Sequence, residues 1–187
     1  MAVIDKKSLR RQQIQRLQQL VPAVKQKQED LILRQLYDSA LFQAADSIGV
    51  TFSSGIEFAT GPLIKTAWQA HKTIYLPRTY PESHEMHFFR YQANDELERS
   101  AFGIMEPQAV AQWQNDQPEL LIVPGLAYSR DRWRVGFGGG YYDRFLRGYQ
   151  GTTIVLGLPA MVFSEPNWPL TKFDQQFDHL LTIEEDA

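Results

Sequence analysis

The sequence lacks cysteine, long apolar runs and an apolar stretch at its start. The absence of cysteine excludes disulfide bonds and thiolate metal sites. No apolar run approaches the roughly 20 residues that a membrane-spanning helix requires. The N-terminus becomes charged at Asp5 and has no segment typical of a signal peptide. We therefore expect a cytoplasmic protein that has no membrane partner.

A strong excess of charge of one sign is also missing, since the 187 residues carry a formal net charge of −3. This balance disfavours nucleic acid as a partner. With 43% hydrophobic and 22% charged residues, the composition is that of an ordinary globular protein. The length predicts a single domain over residues 1–187, which we expect to be a monomer or a weak dimer.

The N-terminal segment departs from this balance. Its sequence KKSLRRQQIQR, residues 6–16, contains five basic residues and no acid. A solvated helix face is one explanation of such a segment, and a local anion-binding site is the other. Charge alone does not separate these two interpretations.

The hydrophobic pattern predicts alternating helices and strands. Helices are expected over residues 6–20, 22–45, 61–71 and 141–149. Strands are expected over 48–52, 73–77, 86–91, 120–124, 152–158 and 179–183, with an edge strand or hairpin arm at 132–137. The second of these strands is expected to stop at Pro77. This alternation predicts an α/β three-layer sandwich with a mostly parallel central sheet flanked by helices and an N-terminal helical arm.

The most unusual segment is GFGGGYYD, residues 136–143, which follows the apolar run LLIVPG at 120–125. Its glycines permit positive φ angles and close approach of a ligand to the backbone. The predicted helix start beside them could hold an anion, and ligands of open α/β sheets bind beyond the carboxyl ends of such strands. A tight turn that binds nothing is the alternative. The segment matches neither the P-loop nor the Rossmann glycine pattern.

Charged residues around the glycines favour a site. Arg134 could bind a phosphate through the donors of its planar guanidinium. Asp143 falls in the first turn of the predicted helix. There it could either offset the helix dipole or bind a Mg²⁺ ion that bridges the phosphates of a nucleotide.

The segment LLIVPGLAYSRDRWRVGFGGGYYDRFL, residues 120–146, resembles the 5-formyltetrahydrofolate cyclo-ligase family, also called 5,10-methenyltetrahydrofolate synthetases. That family carries a strand ending in P-G-x-A-F-D, a hairpin with R-x-G, and then G-x-G-Y-Y-D-R. Further matching motifs follow the same order along the chain: KKSLR (6–10), FSSGIEFAT (52–60), TIYLPR (73–78), GIMEP (103–107) and KFDQQFDHLLT (172–182).

The resemblance implies an enzyme that uses ATP and Mg²⁺ to close 5-formyltetrahydrofolate to 5,10-methenyltetrahydrofolate, with release of ADP and phosphate. ATP would phosphorylate the formyl oxygen, and N10 of the folate would then attack the activated carbon. Positioning and charge neutralisation should dominate such a phosphoryl transfer. A non-catalytic relative that binds a nucleotide, folate or RNA is the alternative.

The same resemblance implies roles for individual residues. The catalytic residues would be Arg134 and Tyr141, and the Mg²⁺ ligands would be Asp143 and Asp174. The folate would contact Phe52, Glu57, Phe137, Gly138, Gly139, Gly140 and Tyr141. ATP would contact Lys6, Lys7, Ser8, Leu9, Arg10, Arg134, Val135, Gly136, Phe137, Gly138, Gly139, Gly140, Tyr141 and Tyr142.

A few positions depart from the family pattern. Many members have a lysine where this chain has Gly139, so more of the phosphate binding would rest on Arg134 and Lys6. The other departures, which replace an aspartate, an acid and a tryptophan, are Ser129, Ala59 and Phe173.

Overall fold

A six-stranded β-sheet forms the centre of this computed structural model, which describes residues 3–53, 55–100 and 103–184. Within those ranges the helices are α1 (Lys6–Gln18), α2 (Pro22–Asp38), α3 (Ala40–Ala44), α4 (Gly61–Gln69) and α5 (Tyr141–Phe145). The strands are β1 (Ser47–Gly49), β2 (Thr73–Tyr80), β3 (Glu85–Tyr91), β4 (Leu97–Arg99), β5 (Met105–Pro107), β6 (Leu120–Ile122), β7 (Ala127–Ser129), β8 (Arg134–Val135), β9 (Thr152–Leu156), β10 (Val162–Phe163) and β11 (His179–Leu181).

The strand order of the central sheet is β11-β9-β6-β1-β2-β3. Neighbouring strands run parallel, except that β3 is antiparallel to β2. The chain moves outward from β1 through β2 and β3 in one direction, and from β6 through β9 and β11 in the other. The order therefore reverses between β1 and β6, which is the place where open parallel sheets bind ligands.

The central strands are buried on both faces, as is typical of parallel strands covered by other elements. All three residues of β6 are at most 5% exposed. Helix α4 packs on β2, α5 on β3 and α2 on β11. The predicted α/β class, with a mostly parallel sheet flanked by helices, is confirmed. Across the described ranges, no helix combines the length and the apolar character needed to cross a membrane.

The single helix predicted over 22–45 is wrong at Ser39, where the chain divides into α2 and α3. Ser39 has an extended backbone, with φ −73° and ψ 142°. Its hydroxyl donates to the Leu36 carbonyl and accepts from the Phe42 amide. A serine that hydrogen-bonds backbone groups at the ends of two helices favours a break over one continuous helix. The spacing of apolar residues carries no information about such hydrogen bonds.

Strand β2 continues through Pro77 to Tyr80, so the predicted stop at Pro77 is wrong. The Tyr75 carbonyl accepts a hydrogen bond from the Val50 amide on the β1 side. Pro77 lies two residues further on and presents its missing N–H to that same side, where β1 has already ended at Gly49. A proline is tolerated at such an edge because no ladder hydrogen bond is lost.

The hairpin arm predicted at 132–137 is confirmed, since it contains β8, which pairs antiparallel with β7. Strands β7, β8 and β10 form a separate three-stranded sheet, and β4 pairs with β5. The sequence did not predict β4, β5, β7 or β10, because segments of two or three residues carry too little periodicity. The helix predicted over 141–149 ends earlier, at Phe145.

Candidate active site

A cavity of about 520 Å³ lies beyond the carboxyl ends of β1 and β6 and beside the last residues of β2. Thr51 and Pro124, which follow β1 and β6, line it together with Pro77 and Thr79 of β2. Most of the other lining residues belong to α1, β3, β5 and the segment 134–143. The cavity therefore lies at the reversal in strand order.

Helix α1 brings two basic side chains to this cavity. Lys6 and Arg10 line it, and they share a helical stripe with Gln13 and Leu17, which are buried. The side-chain amide of Gln13 donates to two core carbonyls, at 2.9 and 3.1 Å. The predicted helical arm is thus anchored to the core, and the basic segment is more than a solvated helix face.

The glycine loop, residues 136–140, forms part of the cavity wall. Gly138 and Gly140 have φ angles of 109° and 68°, which residues with a side chain rarely adopt. Arg10 Nε donates to one carbonyl of the loop at 2.8 Å, and Arg144 Nη2 donates to another at 2.6 Å. The loop conformation therefore depends both on glycine and on two arginines that hold its carbonyls.

Arg134 is the most buried basic residue of the cavity, with 4% of its surface exposed. Its Nη2 donates to Asp143 Oδ1 at 2.9 Å, and its guanidinium lies 5.7 Å from the centre of the Tyr142 ring. A Cβ atom on Gly136 would lie 2.8 Å from Arg134 Nη1, so glycine leaves room for the guanidinium. Arg134 Nε is buried, and none of the described residues accepts from it. An unused buried donor fits a site that has an anion to bind.

Asp174 lies at the same cavity beside Lys6. Lys6 Nζ donates to Asp174 Oδ1, and Thr171 donates to Oδ2 through its amide and its hydroxyl. Burial alone would raise the pKa of Asp174. The hydrogen bonds and the charge of Lys6 outweigh burial and lower the pKa below its ordinary value. Asp174 is therefore ionised at neutral pH.

The charges of the cavity are mixed. Three cations and four carboxylates line it: Lys6, Arg10 and Arg134, with Glu57, Glu106, Asp143 and Asp174. The surplus negative charge would repel the phosphates of a nucleotide. Mg²⁺ binds one or two carboxylates together with phosphate oxygens and water, so Asp143 and Asp174 fit such an ion. No group of three or more potential metal-binding side chains occurs in the described ranges, and phosphate and water oxygens would therefore complete the coordination.

Tyr141 and Tyr142 both line the cavity but differ in their surroundings. The hydroxyl of Tyr142 shares a hydrogen bond of 2.7 Å with the hydroxyl of Thr51. Burial raises the pKa of Tyr142 well above its ordinary value, so this phenol stays protonated. The Tyr141 ring lies 5.3 Å from the Arg144 guanidinium. It also lies 2.9 Å from where a Cβ of Gly139 would be, and so occupies the space that a side chain at this position would need.

A few predicted contact residues do not line the cavity: Lys7, Ser8, Leu9 and Phe52. The amides of Lys7 and Ser8 both donate to Asp5, which caps α1. Leu9 is 2% exposed. Phe52 packs edge-on against Tyr91, with 6.1 Å between the ring centres. All the other predicted site residues line the cavity, and every predicted role stays a prediction.

Helix α5 supplies less to the site than the sequence predicted, because it has only five residues. Few peptide dipoles are aligned in so short a helix, and the dipole effect falls off within one turn. Gly140, which precedes it, has a left-handed backbone and makes no side-chain cap. Attraction for an anion would therefore come mainly from Lys6, Arg10 and Arg134.

Sequence reasoning missed one side of the cavity. We call it the strand wall, and it consists of five residues from β2, β3 and the β5 region: Pro77, Thr79, Met86, Ile104 and Glu106. The motif GIMEP at 103–107 contains two of these residues, and its glutamate between apolar neighbours was the available signal. No chemical role was predicted for that glutamate.

The fold and the cavity define an α/β protein whose ligand site joins basic residues, carboxylates and a glycine loop at the carboxyl edge of a mostly parallel sheet. Residues 2–183 match the model of the 5-formyltetrahydrofolate cyclo-ligase family. The chain belongs to this family, and the family and enzyme class expected from the sequence are confirmed.

Relatives and solved structures agree with this assignment. The chain is 32% identical to the 5-formyltetrahydrofolate cyclo-ligase of Haemophilus influenzae over an alignment of 136 residues. This alignment covers 70% of this chain and 72% of the relative. The structure of the Aquifex aeolicus 5,10-methenyltetrahydrofolate synthetase has a TM-score of 0.81 at 25% identity, covering 95% of this chain and 89% of that one. The Mycoplasma pneumoniae synthetase has a TM-score of 0.75 at 18% identity, with coverage of 96% and 99%, and supports the fold alone.

Proposed function

We propose that this protein cyclises 5-formyltetrahydrofolate to 5,10-methenyltetrahydrofolate, using ATP and Mg²⁺ and releasing ADP and phosphate. The observation that carries the proposal is a single cavity lined by the glycine loop and by most of the basic residues and carboxylates assigned to these ligands. Membership of the cyclo-ligase family supports the same reaction.

The reaction has to turn the formyl oxygen into a good leaving group. That oxygen bonds to the γ-phosphorus of ATP as the bond between this phosphorus and the ADP oxygen breaks. N10 of the folate then bonds to the formyl carbon and loses its proton, and the carbon–oxygen bond breaks with release of phosphate. Such a phosphoryl transfer depends on alignment of the two substrates and on neutralisation of charge.

The phosphates of ATP would be bound by Lys6, Arg10 and Arg134. Two of these cations are already paired with carboxylates, in the pairs Lys6–Asp174 and Arg134–Asp143. Binding of Mg·ATP would exchange partners, so that the carboxylates contact the metal and the cations contact the phosphates. The exchange leaves no buried charge unpaired, which would otherwise be costly. When bound, Mg²⁺ would neutralise charge on the transferred phosphoryl group.

The folate would lie between Glu57 and the glycine loop, with Tyr141 where the two substrates meet. The carboxylate of Glu57 suits the N–H donors of a pterin. Its segment is held in place because the Glu57 backbone carbonyl accepts from Lys25 Nζ at 2.7 Å. Phe137 borders the cavity and is 49% exposed, so its ring is available to cover a flat ligand.

The proposal is tested by mixing the purified protein with 5-formyltetrahydrofolate and Mg·ATP and recording methenyl absorbance and ADP together. We expect one ADP for each methenyl product formed, and no product without ATP. Glu57→Ala should raise the KM for folate and leave the KM for ATP unchanged. Binding of both ligands without any product would contradict the proposal and favour a non-catalytic relative.

A further inference from the structure

The strand wall contains a carboxylate that the reaction described above does not use. Glu106, in the middle of β5, lines the cavity although only 4% of its surface is exposed. Four apolar or weakly polar side chains accompany it in this wall: Pro77, Thr79, Met86 and Ile104. A buried carboxylate in such surroundings is costly unless it is hydrogen-bonded.

Only one oxygen of Glu106 has hydrogen-bond donors among the described residues. Oε1 accepts from the Thr79 hydroxyl at 2.6 Å and from the Thr79 amide at 3.3 Å. No donor in the described ranges reaches Oε2, and no cation is paired with this carboxylate there. Thr79 therefore fixes the direction of the carboxylate, while a second acceptor remains available at the cavity.

We propose that Glu106 is a specificity-determining residue, whose free oxygen accepts a hydrogen bond from an N–H group of the reduced folate. This inference rests on the proposed function, since it takes the cavity to be the folate site. It assigns the folate a second carboxylate beside Glu57, on the wall that the sequence left without a role. A charge-assisted hydrogen bond in a dry site is among the stronger polar contacts.

The chemistry of the wall favours folate over ATP as the partner of Glu106. A carboxylate repels phosphates, and its one free oxygen suits a ligand that carries several N–H donors, as a reduced pterin does through its amino group and ring N–H groups, so that one donor remains for Glu106 beside those at Glu57. Adenine instead places its amino donor next to an acceptor nitrogen, which would face the carboxylate unfavourably. The apolar residues around Glu106 suit the flat face of such a ring.

The test is calorimetric titration of Glu106→Gln with 5-formyltetrahydrofolate and, separately, with Mg·ATP. We expect folate to bind about tenfold more weakly, as for the loss of one charge-assisted hydrogen bond, and ATP to bind as in the wild type. Glu98→Gln is the matched control, because Glu98 lies opposite Glu106 on β4 but is 52% exposed and pairs with Arg78. Unchanged folate affinity in Glu106→Gln, or an equal loss in Glu98→Gln, overturns the inference, as does a loss confined to ATP.

If Glu106→Gln melts well below the wild type, Glu106→Asp replaces it in the same titrations. The aspartate keeps the charge, but its side chain is shorter by one methylene group, so folate affinity should still fall. Wild-type affinity would overturn the inference.

A pterin analogue without the ring amino group then identifies the donor. If that group is the partner, the wild type binds the analogue more weakly than 5-formyltetrahydrofolate, and Glu106→Gln binds the analogue as tightly as the wild type does. Because binding is measured without turnover, a wild type that binds folate but forms no product contradicts the proposed function and not this inference.

Discussion

The two sides of the cavity are built in different ways. The loop wall, residues 134–143 with Lys6 and Arg10, carries most of the charge and takes its shape largely from consecutive residues. The strand wall is mainly apolar and exists only because β2, β3 and β5 lie side by side. We therefore expect changes of charge to act on ATP through the first wall and changes of shape or acceptor to act on folate through the second.

Removal of divalent cations should have the largest effect, because Lys6 and Arg134 would then stay paired with Asp174 and Asp143 and could not be released to the phosphates. With EDTA in excess, we expect turnover to fall by at least about 100-fold, the scale on which one charge-stabilising group acts in catalysis. The measurement is methenyl formation with and without added Mg²⁺. Folate affinity, measured by calorimetry in the same buffers, should not change. If folate affinity fell as much as turnover, the assignment of ATP to the loop wall and folate to the strand wall would be wrong.

Arg134→Ala should come next, with kcat/KM for ATP lower by about 100-fold and the KM for folate nearly unchanged. The buried guanidinium has an unused donor and a carboxylate partner, so its loss affects both the phosphates and Asp143. Steady-state kinetics with each substrate varied in turn measure the two effects. Arg134→Lys keeps the charge without the planar fork and should lie between wild type and alanine. If Arg134→Ala weakened folate binding and left ATP binding unchanged, Arg134 would bind folate and not ATP, and the prediction would be wrong.

Gly136→Ala should lower kcat/KM for ATP by about tenfold, as for one weakened hydrogen bond to a charged group. The new methyl group would meet Arg134 Nη1 at 2.8 Å, and the guanidinium can move more easily than the backbone. Melting temperature should therefore change little. Gly148→Ala is the control, since a Cβ there has no atom within 4 Å. If both variants lose activity equally, displacement of Arg134 is not the cause.

The contrast between the walls also explains what could be predicted from the sequence. The glycine loop and Arg134 lie within one short segment, so their types and spacing already indicated a phosphate site. Lys6 and Arg10 could be added only through the resemblance to the cyclo-ligase family, with which their spacing of four residues on one helix face agrees. Central strands such as β6 were predicted because continuous apolar runs are typical of buried parallel strands.

The strand wall could not be predicted in the same way. Thr79 and Glu106 meet only because β2 continues past Pro77 and because β5 packs beside it. The predicted strand ended at Pro77, and no strand was predicted at 105–107. The contact between Thr79 and Glu106 therefore could not be predicted. Strands of three residues carry almost no periodic signal, and their pairing is decided by tertiary packing.

Phe52→Leu should have the smallest effect and sharpens the comparison, because the sequence assigned Phe52 to folate and the structure packs it against Tyr91. We expect a loss of about 1 kcal/mol in stability and a melting temperature lower by about 2–4 °C. The KM for folate should stay unchanged. Tyr91→Leu removes the same ring pair from the other side, so the stability effects of the two changes should be less than additive. A folate KM that rises in Phe52→Leu but not in Tyr91→Leu would instead place Phe52 against the pterin, as the sequence predicted.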